Sequence, residues 1–403
     1  MAAAAIATFT PKPLVYPPGG PSNMAEFREM YPYESYPIPL NRTVVTIRPS
    51  VDDQDDISQE FLEGLKKANF GGTVYLPAGY TYVIAQRLDL TFLEDVEVKL
   101  DGVLQFTNDI EFWQKPENLW QYPFQGSVSW WKWGGKNVKL YGQGTIDGQG
   151  QIWWDELNGQ TYDEFPRPIL FYATNLSNFR MEGILLKDSP DWTQLYVYSN
   201  NIEIENVLCD ATSNNDSIHP SNTDFFDSIN VDGVHVKNVW SNEGDVPDCF
   251  SPKTNSTNLH VDTMYCNGTH GQSMGSIGQY EGEVSIIENV LIENVWLFNG
   301  ANGPRMKSWA GPQIGRGYIN NVTYRNIWLA NSDMGAQIDS CYFGINATEC
   351  AQYPSQVNVT NILMHNVTGT LNGRYGREVA IFTCSTNPSA QCTNITLVDW
   401  EVE

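Results

Sequence analysis

Short stretches of alternating apolar and polar residues recur along the chain from residue 96 to the C-terminus. Alternation of this kind is typical of a β-strand with one buried face. The copies recur about every 25–40 residues, which is the period of a solenoid protein, and many are followed by Asn and an apolar residue. They begin at Val96, Val138, Ile202, Val234, Leu259, Val290, Val322, Val357 and Ile395.

This repeat favours a coiled sheet over a β-sandwich. Antiparallel sandwiches also repeat short strands, but at closer spacing and with hairpin turns such as Asn-Gly, which are few between these strands. Asn residues at equal positions in successive coils can stack their amides into a ladder at the bends. We therefore predict an all-β chain that forms a right-handed parallel β-helix, in which each turn rests on its neighbours and no domain boundary intervenes.

The N-terminal region departs from the repeat. Residues 1–44 are rich in Pro and Tyr without periodicity and indicate an extended arm, followed by the β-helix domain over residues 45–403. The segment from Ile57 to Ala68 is the one convincing helix, because Ile57, Phe61 and Leu65 fall at helical spacing and Gly71 follows. A helix before the first strands would cap the open end of the coil.

Composition narrows the range of partners. The formal net charge is −24 at pH 7 and only 17% of residues are charged. Nucleic acid and anionic membranes would be repelled, so an anionic substrate needs a local basic patch. No apolar run approaches the ~18 residues of a membrane span.

Several features predict a secreted, N-glycosylated monomer. The start, Met1 to Ile6, is too short for a signal-peptide core and indicates a processed N-terminus. The Asn-x-Ser/Thr acceptor pattern begins at Asn41, Asn175, Asn215, Asn255, Asn267, Asn321, Asn346, Asn358, Asn366 and Asn394.

The seven cysteines predict local disulfide bonds in an oxidising compartment. Cys209 is left over and is expected to be a buried thiol. There is no Cys-x-x-Cys motif or His cluster, so we expect no metal and no cofactor. The pairs that would each close a small loop are Cys249/Cys266, Cys341/Cys350 and Cys384/Cys392.

Three carboxylates fall at coil spacing. Asp245 follows Asp224 by about one coil, and Asp248 comes three residues later. Cleavage of a glycosidic bond needs one carboxylic acid and one carboxylate, and crowding drives their pKa values apart. The alternative is that each is a turn residue beside Asn and Gly.

Two further clusters point the same way. His270 lies between Gly268 and Gly271, which would let the backbone approach a ligand closely, and its ring could hydrogen-bond a catalytic carboxylate. Arg305 and Lys307 share one face of a strand, where they could bind a sugar carboxylate. The alternative is that the two cations neutralise the aspartates, Arg305 more so than Lys307.

Aromatic residues could stack on sugar rings, although most of the Trp are expected in the core. The candidates are Trp130, Trp131, Trp133, Trp153, Trp154, Trp192 and Tyr280.

These residues carry a resemblance to a known family. The chain resembles the polygalacturonases, glycoside hydrolase family 28, most closely their fungal exo-acting branch, over residues 45 to 400. The motifs are Gly142–Gly150 with Trp153 and Trp154, Ser189–Trp192, Asn222-Thr223-Asp224, Asp245 with Asp248-Cys249, Thr269–Tyr280, and Arg305-Met306-Lys307.

The resemblance implies a right-handed parallel β-helix that inverts configuration without a metal. It implies that Asp245 is the acid, that Asp224 and Asp248 position or deprotonate water, and that Arg305 and Lys307 hold galacturonate. It also implies the pairing Cys249–Cys266. We further predict that Asn222, Gln279 and Tyr280 contact substrate and that His270 tunes the pKa of a catalytic carboxylate.

The chain departs from the family pattern at the acids. Val246-Pro247 splits the usual adjacent Asp-Asp pair, and Phe225 replaces a Gly, which we expect to narrow the site. Met306 and Thr269 are milder replacements for Ile and Ser.

The predicted function is a secreted, extracellular exo-acting pectin hydrolase that releases terminal galacturonic acid from α-1,4-linked galacturonan. Alternatives are exo-hydrolysis of rhamnogalacturonan or xylogalacturonan on the same scaffold, a pectin lyase that needs calcium or a basic residue at the C5 proton, and a pectin binder without catalysis.

Overall fold

The computed structural model describes residues 20–157, 165–244, 247–343 and 345–403. Its strands are β1 (Thr43–Thr46), β2 (Gly72–Leu76), β3 (Thr81–Ile84), β4 (Leu88–Leu100), β5 (Val103–Phe106), β6 (Trp120–Gln121), β7 (Val128–Ser129), β8 (Trp131–Tyr141), β9 (Thr145–Asp147), β10 (Pro168–Ile169), β11 (Phe171–Glu182), β12 (Leu185–Lys187), β13 (Gln194–Glu205), β14 (Leu208–Asp210), β15 (Phe226–Asn242), β16 (Phe250–Pro252), β17 (Ser256–Asn267), β18 (Gln272–Ile277), β19 (Val284–Phe298), β20 (Pro304–Trp309), β21 (Arg316–Ser332), β22 (Ala336–Tyr342), β23 (Gln356–Leu371), β24 (Ala380–Thr383) and β25 (Cys392–Val402). The helices are α1 (Met24–Met30), α2 (Ser58–Ala68), α3 (Ile110–Trp113), α4 (Gly150–Leu157) and α5 (Ala347–Gln352).

The predicted parallel β-helix is confirmed. Apart from β6, β7 and β10, which form a small separate sheet, the strands join one large sheet, in which most strands pair in parallel with the strand two places away in chain order. Long bent strands such as β17, β19 and β21 stack on one another, and short strands such as β18, β20 and β22 stack beside them. Each coil therefore contributes one long and one short strand.

The sequence repeats lie in register as an apolar row through the core. Nearly every residue of the row is buried, so each coil removes one apolar side chain from water at the same position. The row differs from the predicted copies at two places: Phe179 was not revealed by the sequence pattern, and the copy predicted to begin at Val357 enters the row at Ile362, five residues later. In order it is Val96, Val138, Phe179, Ile202, Val234, Leu259, Val290, Val322, Ile362 and Ile395.

The predicted amide ladder forms at the bends. The amide nitrogens of Asn267, Asn299 and Asn331 each donate to the amide oxygen of the Asn one coil earlier, at 2.6, 2.9 and 2.9 Å. Asn299 and Asn331 have positive φ angles, a conformation that Asn tolerates better than most residues. The ladder therefore turns the chain and satisfies the polar groups at the corner.

Helix α2 covers the N-terminal end of the coil, as predicted. Phe61 and Leu65 are wholly buried, and the helix packs on β1, β2 and β4. After its last residue, Ala68, the chain turns through Phe70 and Gly71 with positive φ. The other four helices are short, and the sequence pattern did not indicate them.

The described part of the arm lies along the body. Arg28 donates to the carbonyls of Asn206 and Gly183, and Phe27 is buried. The arm is not wholly extended, because α1 begins with a cap in which Asn23 accepts from the Glu26 amide. The division of the chain at residue 44 stays a prediction.

The cysteines join as their sequence proximity suggested. Disulfide bonds link Cys249 to Cys266, Cys341 to Cys350, and Cys384 to Cys392. Cys209 is a buried thiol whose pKa is raised by burial. Among the helices of the described residues, none has the length and apolarity to span a membrane.

Candidate active site

The site lies on the face formed by the short strands. Strands β16, β18, β20 and β22 stack in parallel, and successive rungs of such a stack are about 4.8 Å apart. The segments that lead into and follow these strands therefore bring residues distant in sequence onto one wall. Asp248 precedes β16, His270 precedes β18, and Arg305 and Lys307 lie on β20.

Asp248 is the most heavily bonded group on this wall. It is 4% exposed, and its carboxylate accepts hydrogen bonds from Ser273 Oγ at 2.5 Å and Ser251 Oγ at 3.2 Å. Lys307 Nζ forms an ion pair with the same carboxylate. Burial alone would raise the pKa of Asp248, but Lys307 and two further cations hold it well below its usual range. Asp248 is therefore ionised.

Asp224 lies beside Asp248 and is protonated, whereas Asp248 is ionised. The backbone N–H of Asp248 donates to Asp224 Oδ1 at 3.1 Å. Burial, and then the charges of Asp227 and Asp248, raise the pKa of Asp224 well above its usual range. The wall thus carries one neutral and one ionised carboxyl group, which is the pair that acid/base cleavage requires.

A buried ion pair lies under these two aspartates. Lys253 Nζ is 2.9 Å from Asp227 Oδ1 and donates to Ser251 Oγ at 2.6 Å. Burial raises the pKa of Asp227 to about 6 against the opposing effect of Lys253. Since Ser251 Oγ also donates to Asp248, Ser251 connects this ion pair to Asp248.

The wall faces a cleft of about 440 Å³. Seven of the nine predicted catalytic and substrate-binding residues line it; their roles stay predictions. They are Asn222, Asp224, Asp248, His270, Gln279, Tyr280 and Lys307.

One side of the cleft is bridged from wall to wall. Gln125 lies between β6 and β7, and its backbone N–H donates to the Tyr280 hydroxyl at 3.1 Å. Its amide nitrogen donates to Gln279 Oε1 at 2.9 Å. The ring of Phe124 packs edge-on against Tyr280. We call residues 123–126, with Gln279 and Tyr280, the bridge.

A second cavity of about 250 Å³ adjoins the cleft, and His270 lines both. Arg305 lines this second cavity and not the cleft. Its side chain is nine-tenths buried, its Nε is unsatisfied, and it makes no hydrogen bond or ion pair within the described ranges. Its guanidinium carbon lies 5.6 Å from the centre of the Tyr342 ring. Arg305 is thus a buried cation without a bonded anion among the described residues, and the cavity that it faces is also lined by Asp333.

Arg305 and Lys307 exchange the roles that we expected of them as partners of the aspartates. Sequence reasoning gave neutralisation of the aspartates to Arg305 more than to Lys307. Instead Lys307 pairs with Asp248, because a residue two positions along β20 lies level with the carboxylate, while Arg305 points into the second cavity.

His270 forms no hydrogen bond to a carboxylate within the part of the chain described. Burial lowers the pKa of His270 most, Asp248 opposes this effect and Arg305 adds to it, and the resulting pKa is about 4. The ring is therefore neutral at and above pH 5. The fold itself requires Gly268, because a Cβ there would lie 1.7 Å from a carbonyl of the adjacent rung. The approach of this backbone to a ligand stays a prediction.

Two other expectations change. Phe225 does not narrow the site, because its side chain is wholly buried in the core and does not line the cleft. Asp245, the acid that the family resemblance implies, lies outside the described residues, as does Val246. Pro247 is described, and its carbonyl accepts the His270 N–H at 2.7 Å.

Sequence reasoning missed several residues of the site. Lys253 reads as an ordinary polar residue after a strand, and Gln125 lies in a segment without any repeat. Five of the six candidate Trp are core residues, and Trp192 is the one that lines the cleft. Three aromatic residues that line the cleft were not among the sequence candidates: Trp309, Tyr342 and Phe343.

No metal centre is found among the described residues, since no three His, Cys, Asp or Glu side chains converge there.

Comparison with known proteins gives the family. The family model for glycosyl hydrolases family 28 matches residues 72–403. The chain belongs to glycosyl hydrolases family 28. The protein is therefore a glycoside hydrolase.

Individual relatives of this family-28 protein agree. It is 52% identical over 368 residues to exopolygalacturonase B of Aspergillus niger, covering 91% of this chain and 82% of that one. It is 52% identical to a probable exopolygalacturonase B of Neosartorya fischeri, covering 89% and 79%. Among solved structures it is similar to an endo-xylogalacturonan hydrolase from Aspergillus tubingensis, with a TM-score of 0.80, 28% identity, and coverage of 90% and 93%.

Proposed function

We propose that this protein is an exo-acting galacturonan hydrolase that releases terminal galacturonic acid from α-1,4-linked chains. The observation that carries the exo assignment is the bridge, in which Gln125 crosses the cleft to Gln279 and Tyr280. A polymer cannot run through a cleft that is bridged on one side, so the sugar that enters it is the end of a chain.

The cations that line the two cavities and the similarity to named relatives support galacturonate as the sugar. Lys307 and Lys253 line the cleft and Arg305 lines the adjoining cavity, in a chain with a formal net charge of −24. Such local cations favour an acidic sugar. The 52% identity to a protein named exopolygalacturonase B points to galacturonate.

In the proposed reaction Asp248 is the base. Its ionised carboxylate takes a proton from a water molecule that attacks the anomeric carbon. Asp224, whose raised pKa keeps it protonated, donates a proton to the leaving oxygen, and inversion is the outcome that the family resemblance implies. This choice departs from the acid role predicted for Asp245, and it rests on Pro247 occupying the place next to Asp248.

The leaving chain then extends across His270 into the second cavity. There Arg305 is available for the carboxylate of the first sugar beyond the bond. His270 lies between the two cavities, and its neutral ring can donate a hydrogen bond to that sugar or accept one from it. Neither bond adds charge beside Asp248.

We further propose that the protein is secreted to the extracellular space as an N-glycosylated monomer that acts on pectic polysaccharide. The ten acceptor sites and three disulfide bonds support this proposal.

Digestion of polygalacturonate, rhamnogalacturonan and xylogalacturonan side by side tests the proposal. We expect free galacturonic acid as the first product of polygalacturonate, with a slow loss of viscosity. Faster release from either of the other polymers would reject the substrate. An unsaturated product that absorbs in the ultraviolet would show a lyase, and binding without release of reducing sugar would show a binder.

A further inference from the structure

A second arginine lines the cavity that holds Arg305. Arg374 precedes β24 and, with Tyr375, forms one side of the cavity. No sequence pattern marks Arg374, because it lies in a polar turn outside the repeats. Its side chain is 57% exposed, so it lies at the rim while Arg305 lies on the floor.

Asp333 holds Arg374 over the cavity. Arg374 Nη1 donates to Asp333 Oδ2 at 2.5 Å, and Asn372 Nδ2 donates to Asp333 Oδ1 at 2.5 Å. The Arg374 N–H also donates to Asn372 Oδ1 at 3.0 Å. Asp333 is only 4% exposed, which makes it a fixed anchor. The turn at residues 372–374 is therefore ordered by a buried carboxylate and presents its arginine to the cavity.

The charge of this cavity is unusual for the chain. Acidic side chains outnumber basic ones 47 to 23, yet among the described residues two arginines and one carboxylate, that of Asp333, line this cavity. The amides of Asn302 and Gln337 complete the polar lining and have no hydrogen-bond partner among the described side chains. Guanidinium groups bind carboxylates in a bidentate fashion, and amides suit hydroxyl groups. The lining therefore matches a chain of acidic sugars.

The rungs order the two arginines along the substrate. Arg305 lies on β20, next to the rung of His270, and the β24 rung that follows Arg374 is two steps further on. With rungs about 4.8 Å apart, the backbone of Arg374 is roughly 10 Å beyond that of Arg305. An arginine whose backbone lies this much further along the stack of rungs is placed to contact the sugar that follows the one held by Arg305.

We propose that Arg374, positioned by Asp333, binds the carboxylate of the second sugar beyond the scissile bond. This inference rests on the proposed function. It adds a binding site for a further galacturonate and makes the affinity depend on chain length.

The test compares Arg374→Ala with Arg377→Ala on digalacturonate and trigalacturonate. Arg377 is an exposed arginine of the same turn that does not line the cavity, so its variant is the matched control. We expect KM for trigalacturonate to rise roughly fivefold to tenfold in Arg374→Ala, with kcat unchanged and with digalacturonate unaffected. Arg374→Lys, which keeps the charge, should recover part of the loss.

Three results would overturn the inference. Equal KM values for the two alanine variants on trigalacturonate would show that Arg374 has no contact with substrate. An equal loss on digalacturonate would assign Arg374 to the first sugar. A loss confined to kcat would indicate a structural effect. Release of galacturonic acid by the wild type from both oligomers tests the proposed function separately.

Discussion

Lys307 forms an ion pair with Asp248 in the wall of the cleft, where both side chains are at least nine-tenths buried. This contact keeps Asp248 ionised although burial opposes its charge. A cation expected to hold substrate thus also sets the protonation state of the proposed base. The first two predictions concern this pair.

Asp248→Asn should abolish hydrolysis and leave the fold intact. The amide cannot accept the proton of the attacking water, and loss of a general base costs about 10²–10⁴-fold in rate. We would measure kcat on polygalacturonate and the circular dichroism spectrum. The exposed Asp399→Asn serves as control. A variant at position 248 with full activity would reject the assignment.

Lys307→Met should move the acidic limb of the kcat profile to higher pH. The lysine lowers the pKa of Asp248, so its removal raises that pKa, and Asp248 then loses its charge at a higher pH as the solution is acidified. The measurement is the pH dependence of kcat in the variant and in the wild type. If KM rises and preference for acidic over neutral sugars falls with no change in the pH profile, the ammonium instead acts by binding substrate.

Substrates with different leaving groups can show whether Asp224 or Asp245 is the general acid. Removing the general acid slows hydrolysis most when the leaving group is a sugar, because a sugar alkoxide needs the proton. We expect Asp224→Asn to recover rate on an aryl galacturonide with an acidic phenol, and Asp245→Asn to show no such recovery. The comparison uses the ratio of rates on digalacturonate and on the aryl substrate. Selective recovery by Asp245→Asn would return the acid role to Asp245.

Stability should fall as the pH rises from about 4 to 7. Burial raises the pKa of Asp191 to about 7 and raises that of Glu243 well above its usual range, whereas unfolded carboxyls titrate near 4. The stability from these neutral groups is complete below the unfolded pKa and is lost as the pH passes the folded values.

Thermal unfolding between pH 4 and 8 measures this effect. We expect Tm to decrease across the range, and Asp191→Asn to flatten the decrease because the amide does not titrate. The exposed Asp399→Asn should keep the wild-type slope. A Tm that increases with pH in this window would contradict the account.

The sequence predicted those parts of the fold that depend on periodicity. Rows of apolar residues such as Val234, Leu259 and Val290 are visible without coordinates because the alternation of buried and exposed positions is a local property. The Asn ladder and helix α2 follow for the same reason. The predicted site residues could be grouped because the coil period converts sequence spacing into spatial proximity.

Other features depend on register and on segments outside the repeat. Phe225 lies one residue from Asp224, and only the register shows that its ring enters the core. The reversal between Arg305 and Lys307 depends on which of two cavities each side chain faces. Gln125 and Arg374 belong to connections between coils, whose paths no periodicity records.

The central claim is that the bridge confines hydrolysis to the end of a chain. The most direct measurement is the set of initial products from pentagalacturonate, resolved by anion-exchange chromatography for the wild type and for the double variant Gln125→Gly/Tyr280→Ala, which removes both hydrogen bonds of the bridge. For the wild type the account predicts galacturonic acid and tetragalacturonate alone, with dimer and trimer emerging early only in the double variant. Dimer and trimer as initial products of the wild type would contradict it.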